Sequence, residues 1–419
     1  MKYAFILKAV FHSISHRKFS VFTSTFAISA AFAFLAAIGC VSFGLAATAV
    51  NSSLAFPLIV GPAGASDTTL VMSTLFNTDK PAGTLDYEVA EKLAGDERVS
   101  AVFPIARSDS YMGIPITGVE SAYINEISRG FSEIGENVKA ADIFGENGGN
   151  CAVVGAKTAA RYEMKAGDTF FGSHGSVGDE DAHMHDFEYK VCAVMKAVNG
   201  PEDFAIFTNL RSVWEIHGHG HHHHHHEDTE DEEHEHSPEG KITAVLVKTK
   251  NPVFTAALER EYSENGFTSA TDTGRTVRKL LTYMNKAEKA AGFFSYGTLF
   301  LVMILVFVTI LTSISERKRE MALMRTLGIG KLPISLMIFL ELFLISVSGI
   351  IAGTLGGHAV LAVFKPFIDF ELGINLEPFF FTEIELRGAL YTIVAGAALS
   401  IAAMLKIYRM DLVEEIAKE

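Results

Sequence analysis

The chain has 419 residues, 49% of them hydrophobic, with a mean hydropathy of +0.25 and a net charge of −14, so it reads neither as a purely soluble protein nor as apolar spans throughout. Residues 51–289 hold 37 of the 49 acidic side chains but only 21 of the 35 basic ones. An acidic middle of this kind excludes nucleic acid as a ligand, because phosphate binding needs a basic surface.

Residues 1–18 place Phe5, Ile6, Ala9, Val10 and Ile14 among Lys2, Lys8, Arg17 and Lys18. This basic amphipathic pattern predicts an interfacial helix on the cytoplasmic leaflet. Residues 19–47 follow without a charge. They exceed the apolar core of about 7–15 residues in a signal peptide, so a retained first transmembrane helix is expected, with the N-terminus inside.

Residues 48–274 are expected to form an extracytoplasmic domain. Its first part carries strand character at Thr69–Met72 and Val99–Pro104, a helix at Tyr87–Leu93 and a Gly/Asn-rich loop at 142–149. Cys151 to Phe170 reads as strand, turn, helix, turn and strand, and Phe187–Val198 and Ile242–Lys248 as further strands. Cys151 and Cys192 either pair in an oxidising compartment or stay as small core residues, while Cys40 lies inside an apolar run.

Within this domain, residues 217–236 gather ten of the sixteen histidines: His217, His219, His221, His222, His223, His224, His225, His226, His234 and His236, interleaved with seven acidic residues. Imidazole suits Zn²⁺, Cu²⁺ and Ni²⁺, and several on one segment can surround a single ion. Zn²⁺ is the candidate ion, at no unique site; the plainer reading is a solvated low-complexity loop. A thinner group, His174, His183 and His185 with Asp179, Glu180, Asp181 and Asp186, lies nearby in sequence.

Residues 275–289 are helix-permissive and run without a breaker, as a stalk, into the uncharged stretch 290–314, the second span. Residues 332–364 form the third, with Glu341 as their one charge and Gly349, Gly353 and Gly357 as a stripe of small residues at intervals of four. The stripe suits close helix packing, within the chain or between two copies. Glu341 is expected to point into a helix interface or towards a polar end. Residues 365–387 make a short acidic loop on the outer side, 388–405 the fourth span and 406–419 a cytoplasmic tail. The expected fold is an α-helical membrane protein with four transmembrane helices and a large extracytoplasmic α+β domain inserted between helices 1 and 2. Every basic loop then lies inside.

Between the second and third spans, residues 315–331 combine Arg317, Lys318, Arg319, Arg325 and Lys331 with only Glu316 and Glu320. Met321, Leu323, Met324 and Leu327 leave an apolar face on a short helix, which Gly328 and Gly330 end. Basic loops are often only topology signals. The pattern of Glu316, Arg317, Glu320, Arg325, Leu327 and Gly328, however, resembles the coupling segment of the MacB/FtsX/LolC-type ABC permeases.

The Val153–Ala156 strand-to-helix turn, the Lys165–Asp168 turn, a strand at Asp203 and Ile242–Lys248 also resemble the MacB-like periplasmic core domain, as do Leu70–Asp79 and Phe103–Tyr111. The tail Arg409–Glu415 resembles the family's closing segment, except that Leu412 stands where proline is common. The resemblance implies a permease subunit in a bacterial inner membrane, its large domain in the periplasm, relaying motion from a separate ABC ATPase dimer. It further implies a second permease copy and a periplasmic or lipoprotein partner. No enzyme activity and no required cofactor is expected of the chain itself. Gly328-Ile-Gly-Lys331 lacks the glycine spacing and the Ser/Thr of a phosphate-binding loop, and no nucleophile stands beside a base. The alternatives are a non-transporting regulator of an envelope hydrolase, or a metal-binding membrane receptor without an ATPase.

Overall fold

The computed structural model describes residues 2–78, 80–135, 138–145, 149–174, 184–218, 240–316 and 318–409. In chain order the elements are α1 (Lys2–His16), α2 (Lys18–Ala55), β1 (Leu58–Pro62), α3 (Asp67–Thr74), β2 (Leu85–Asp86), α4 (Glu88–Ala94), β3 (Val99–Tyr111) and β4 (Ile114–Val119). Then come α5 (Ser121–Ile127), β5 (Phe131–Ile134), β6 (Cys151–Val154), α6 (Ala156–Tyr162), β7 (Thr169–His174), β8 (Met184–Met195), β9 (Ile206–Asn209) and α7 (Leu210–Gly218). The remainder is β10 (Lys241–Ile242), β11 (Ala244–Thr249), α8 (Pro252–Glu264), β12 (Thr268–Asp272), α9 (Thr273–Glu316), α10 (Lys318–Thr326), α11 (Lys331–Leu372) and α12 (Glu383–Arg409). These divide into a helical bundle, Met1–Gly44 with Tyr283–Phe367 and Leu376–Glu419, and a head, Leu45–Thr282 with Ile368–Asn375.

Among the described residues four helices are long and apolar enough to cross a membrane: Lys18–Val50, Thr273–Val308, Lys331–Leu372 and Glu383–Leu405. The stalk expected at 275–289 and the span at 290–314 form one 44-residue helix, α9, with Asp272 accepting the Arg275 N–H at its start. The third long helix overruns the expected end at 364 and takes the first residues of the expected loop. Pro366 removes only one backbone donor, and the helix closes where Gly373 takes φ +61° and Ile374 N–H returns to the Asp369 carbonyl. The fourth starts at Glu383, ahead of the expected 388, because Glu385 reaches back over the helix start and its Oε1 accepts the Thr382 N–H at 3.1 Å, one half of a capping box.

Nine strands of the head follow the order β12-β1-β11-β3-β4-β9-β6-β8-β5, and β7 pairs with both β3 and β8. The long β3 serves two subsheets. Its first half, up to Ile105, lies in an antiparallel sheet with β11, β1 and β12; from Ala106 it pairs with β4 in a ring, β3-β4-β9-β6-β8-β7, that β7 closes back onto β3 at Asp109 and Ser110, just past a register shift between Arg107 and Asp109. Such a bulge bends a strand and increases its twist, which lets one strand serve both.

Alternation along the strands explains the head's packing. Leu58, Val60, Val245 and Val247 face a cluster with Leu93, Leu210 and Leu258 from α4, α7 and α8. Ile59, Phe103, Ile105 and Leu246 face the opposite cluster with Leu70, Tyr123 and Val277 from α3, α5 and α9. Both faces are covered, so these strands read as continuous apolar runs. A third cluster, with Ile116, Val154, Phe170, Tyr189, Val191 and Ile206, belongs to the ring.

Three expectations are corrected here. Thr69–Met72 is helical, because Ser66 caps α3 by accepting the Thr69 N–H at 3.1 Å and Asp67 occupies the first turn. The strand expected at Asp203 starts at Ile206; Asp203 sits in a 3₁₀ turn, Pro201–Phe204, its carboxylate accepting the N–H groups of Val198 and Asn199. Ile242–Lys248 is two strands: β10 pairs with β2, and Thr243 then donates its N–H to the Ile105 carbonyl where β11 begins.

Candidate functional site

Between α9 and α11 the chain makes a separate helix, α10. Glu316 is the last residue of α9 and Glu320 lies within α10, whereas Arg317 lies outside the described residues. Arg325, in the last turn of α10, complements the negative end of the helix dipole. Gly328 takes φ +84°, and Ile329 N–H returns to the Met324 carbonyl at 3.0 Å, the Schellman closure that a left-handed glycine permits.

The single apolar face expected of this segment is divided. Met321 is buried, and Met324 packs on the same cluster as Leu299, Met303, Ile334 and Ile338. Leu323 and Leu327, one turn apart, point elsewhere and are 58% and 82% exposed. The inward pair fixes α10 to the bundle and leaves the outward pair without intramolecular cover.

Helix α1 is held to α11 by Val10 against Met337, with Ile14, Leu336, Leu340 and Leu344 around them. At the break between α1 and α2, Arg17 Nη1 meets Glu341 Oε1 at 3.0 Å, and Ser13 Oγ donates to Glu341 Oε2 at 2.9 Å. Glu341, the one acidic residue of stretch 332–364, is therefore buried beside Arg17, as a carboxylate removed from water requires.

Gly349, Gly353 and Gly357 lie along α2 within the same chain. A Cβ at Gly353 would stand 2.5 Å from the Ser29 carbonyl oxygen and 2.6 Å from Phe32 Cβ, while one at Gly349 would meet Ile28 and one at Gly357 would meet Ala33. Ser29 Oγ bonds the Gly349 carbonyl at 3.1 Å across this contact.

A second polar cluster in the bundle was not singled out from the sequence. His358 is buried on α11, its Nδ1 on the Pro378 carbonyl and its Nε2 2.9 Å from Glu385 Oε2. A carbonyl only accepts, so Nδ1 donates to Pro378, while Nε2 and the Glu385 carboxyl face each other across the second contact. Thr382 Oγ1 donates to the other Glu385 oxygen at 2.7 Å, and Cys40 Sγ donates to the Phe380 carbonyl at 3.4 Å. The signal in the sequence is Thr382-x-x-Glu385, a capping-box spacing, combined with a histidine inside an apolar run.

In the head, Cys151 on β6 and Cys192 on β8 are joined by a disulfide, their Cα atoms 5.5 Å apart. Burial pushes the Glu202 carboxyl up to about 7. Burial, with Asp109 beside it, raises the Tyr189 phenol far above its ordinary range. His217 falls in the last turn of α7. His219, His221, His222, His223, His224, His225, His226, His234 and His236 lie outside the described residues, among which no group of three or more His, Cys, Asp or Glu side chains is arranged to hold a metal ion.

Residues 292–412 match the family model described as FtsX-like permease C-terminal. No curated protein matches the chain. Among solved structures, the periplasmic region of MacB from Actinobacillus actinomycetemcomitans aligns at 10% identity and a TM-score of 0.35 over 55% of this chain and 97% of that one. The extracellular domain of the noncanonic ABC-type transporter YknZ from Gram-positive bacteria aligns at 12% and 0.30, over 51% and 99%.

Proposed function

We propose, from the match of residues 292–412 to the FtsX-like permease C-terminal model, that this chain is the membrane subunit of an ATP-driven complex whose ATPase is a separate polypeptide. The observation that carries this reading is α10. It is a short helix between two long apolar ones, within the matched region, fixed by Met321 and Met324 and exposing Leu323 and Leu327 beside a basic segment. A docking helix needs that division, with one face anchored and one free for a partner.

In this proposal an ATPase dimer, closing on ATP, displaces α10, and α9 and α11 carry the displacement towards the head. Each chain supplies one loop helix and four spans, so two copies serve the two ATPases. Short basic loops stay in the cytoplasm, which puts α10 and the N-terminus inside and the head outside a bacterial inner membrane. The Cys151–Cys192 disulfide suits that oxidising side. Substituting Glu316, Arg317 and Glu320 together is expected to abolish co-purification of the ATPase from the native membrane. Undiminished co-purification would refute the docking assignment.

The finer zinc-linked reading rests on the tract 217–236 alone. Calorimetry of the intact chain is expected to show uptake of several Zn²⁺ ions, most of it lost when residues 219–236 are removed; no uptake by the intact chain would end this reading.

A further inference from the structure

On α1, His12 and His16 are both exposed and one helical turn apart. Their Nε2 atoms lie 3.1 Å from each other, with ring centroids 4.4 Å apart and planes at 80°. Residues four apart share a helix face, so the backbone itself holds the two stems side by side. We propose that His12 and His16 form a chelating pair for one divalent late transition ion, of the class Zn²⁺, Ni²⁺ and Cu²⁺.

The separation of the nitrogens carries the argument. An ion bonded to each imidazole at about 2.0–2.1 Å requires its two nitrogens to stand about 2.9 Å apart at a right angle and about 3.4 Å apart at a tetrahedral angle. The observed 3.1 Å lies between these values. As neutral imidazoles the two rings can share only one hydrogen bond, whereas an ion between them takes a lone pair from each. Imidazole selects the borderline metals over Mg²⁺ and Ca²⁺. With no third His, Cys, Asp or Glu grouped with them among the described residues, water completes the coordination and binding is reversible.

The location gives the site a consequence. His16 ends α1, and the next residue, Arg17, makes the clamp to Glu341 where α2 begins. An ion across His12 and His16 staples the last turn of α1 next to that clamp. The site is independent of the histidine tract and of the docking reading.

The test uses the full-length protein in lipid nanodiscs, with Ni²⁺ as the probe and diethyl pyrocarbonate modification of each histidine read peptide by peptide. Ni²⁺ is expected to slow modification of His12 and His16 several-fold and to slow amide exchange over residues 8–16. In His12→Ala, shielding of His16 is expected to vanish, and in His16→Ala shielding of His12, because one imidazole alone does not chelate. Modification of both residues unchanged by Ni²⁺ would overturn the proposal, as would His16 staying shielded in His12→Ala.

Discussion

Head and bundle keep their polar groups by different means. In the head, backbone donors and acceptors meet in strand ladders, both faces of the antiparallel subsheet are covered, and a disulfide adds a covalent tie. In the bundle no ladder joins the helices, and lipid would offer no hydrophobic drive for their association. Specific packing there falls to the glycine contact between α2 and α11 and to the two polar clusters at Glu341 and Glu385. Small side-chain changes should therefore disturb the bundle most, whereas the head should respond to changes in its covalent or protonation state.

The sequence supplies one reporter for each region. Trp214, the only tryptophan, belongs to the head and donates Nε1–H to the Lys241 carbonyl at 2.7 Å; Cys40, the free cysteine, is buried in the bundle. Fluorescence of the first and thiol labelling of the second give separate unfolding midpoints.

Arg17→Ala should have the largest effect. It removes the Arg17 ion pair of the buried Glu341, a loss of about 3–5 kcal/mol, and should lower the Cys40 midpoint while leaving the Trp214 midpoint unchanged. Next, Cys151→Ala with Cys192→Ala opens a tie across 41 residues and should cost the head about 2–4 kcal/mol. Here the Trp214 midpoint should fall alone, and equal shifts at both reporters would break the contrast between regions.

Gly353→Ala forces a methyl against the Ser29 carbonyl and should destabilise the bundle by about 1–3 kcal/mol, read at Cys40. The last effect is a slope with pH, not a fixed loss. Glu202 titrates near 7 in the folded head against about 4.3 unfolded, so folding takes up a proton between these values. Head stability should decline as pH rises from about 4.5 to about 7 and then level off. Glu202→Gln should flatten that decline, and an unchanged pH profile would show that Glu202 is not its source.

Much of this was legible in the residues themselves. Uncharged runs gave the long helices, Gly328 after an apolar-periodic segment gave the end of α10, and the alternation around Cys151 gave β6, α6 and β7. What failed was local chemistry that overrides the strand character of a short apolar stretch: Ser66 and Asp67 turn Thr69–Met72 into a helix. The third helix likewise runs past the expected end at 364, because Pro366 costs α11 only one hydrogen bond. The long-range pairs, Arg17 with Glu341 and His358 with Glu385, were invisible because partners 324 and 27 positions apart leave no spacing to read.

If a separate ATPase docks at α10, a photo-crosslinking residue in place of Leu327, one position past that helix, should reach it in the native membrane. Docking of that ATPase should give a crosslinked product containing a nucleotide-hydrolysing subunit, and none from Phe293, which is 74% exposed but lies in the long helix α9. Crosslinks from position 327 only to lipid or to a second copy of the chain, in membranes that contain the ATPase, would contradict it.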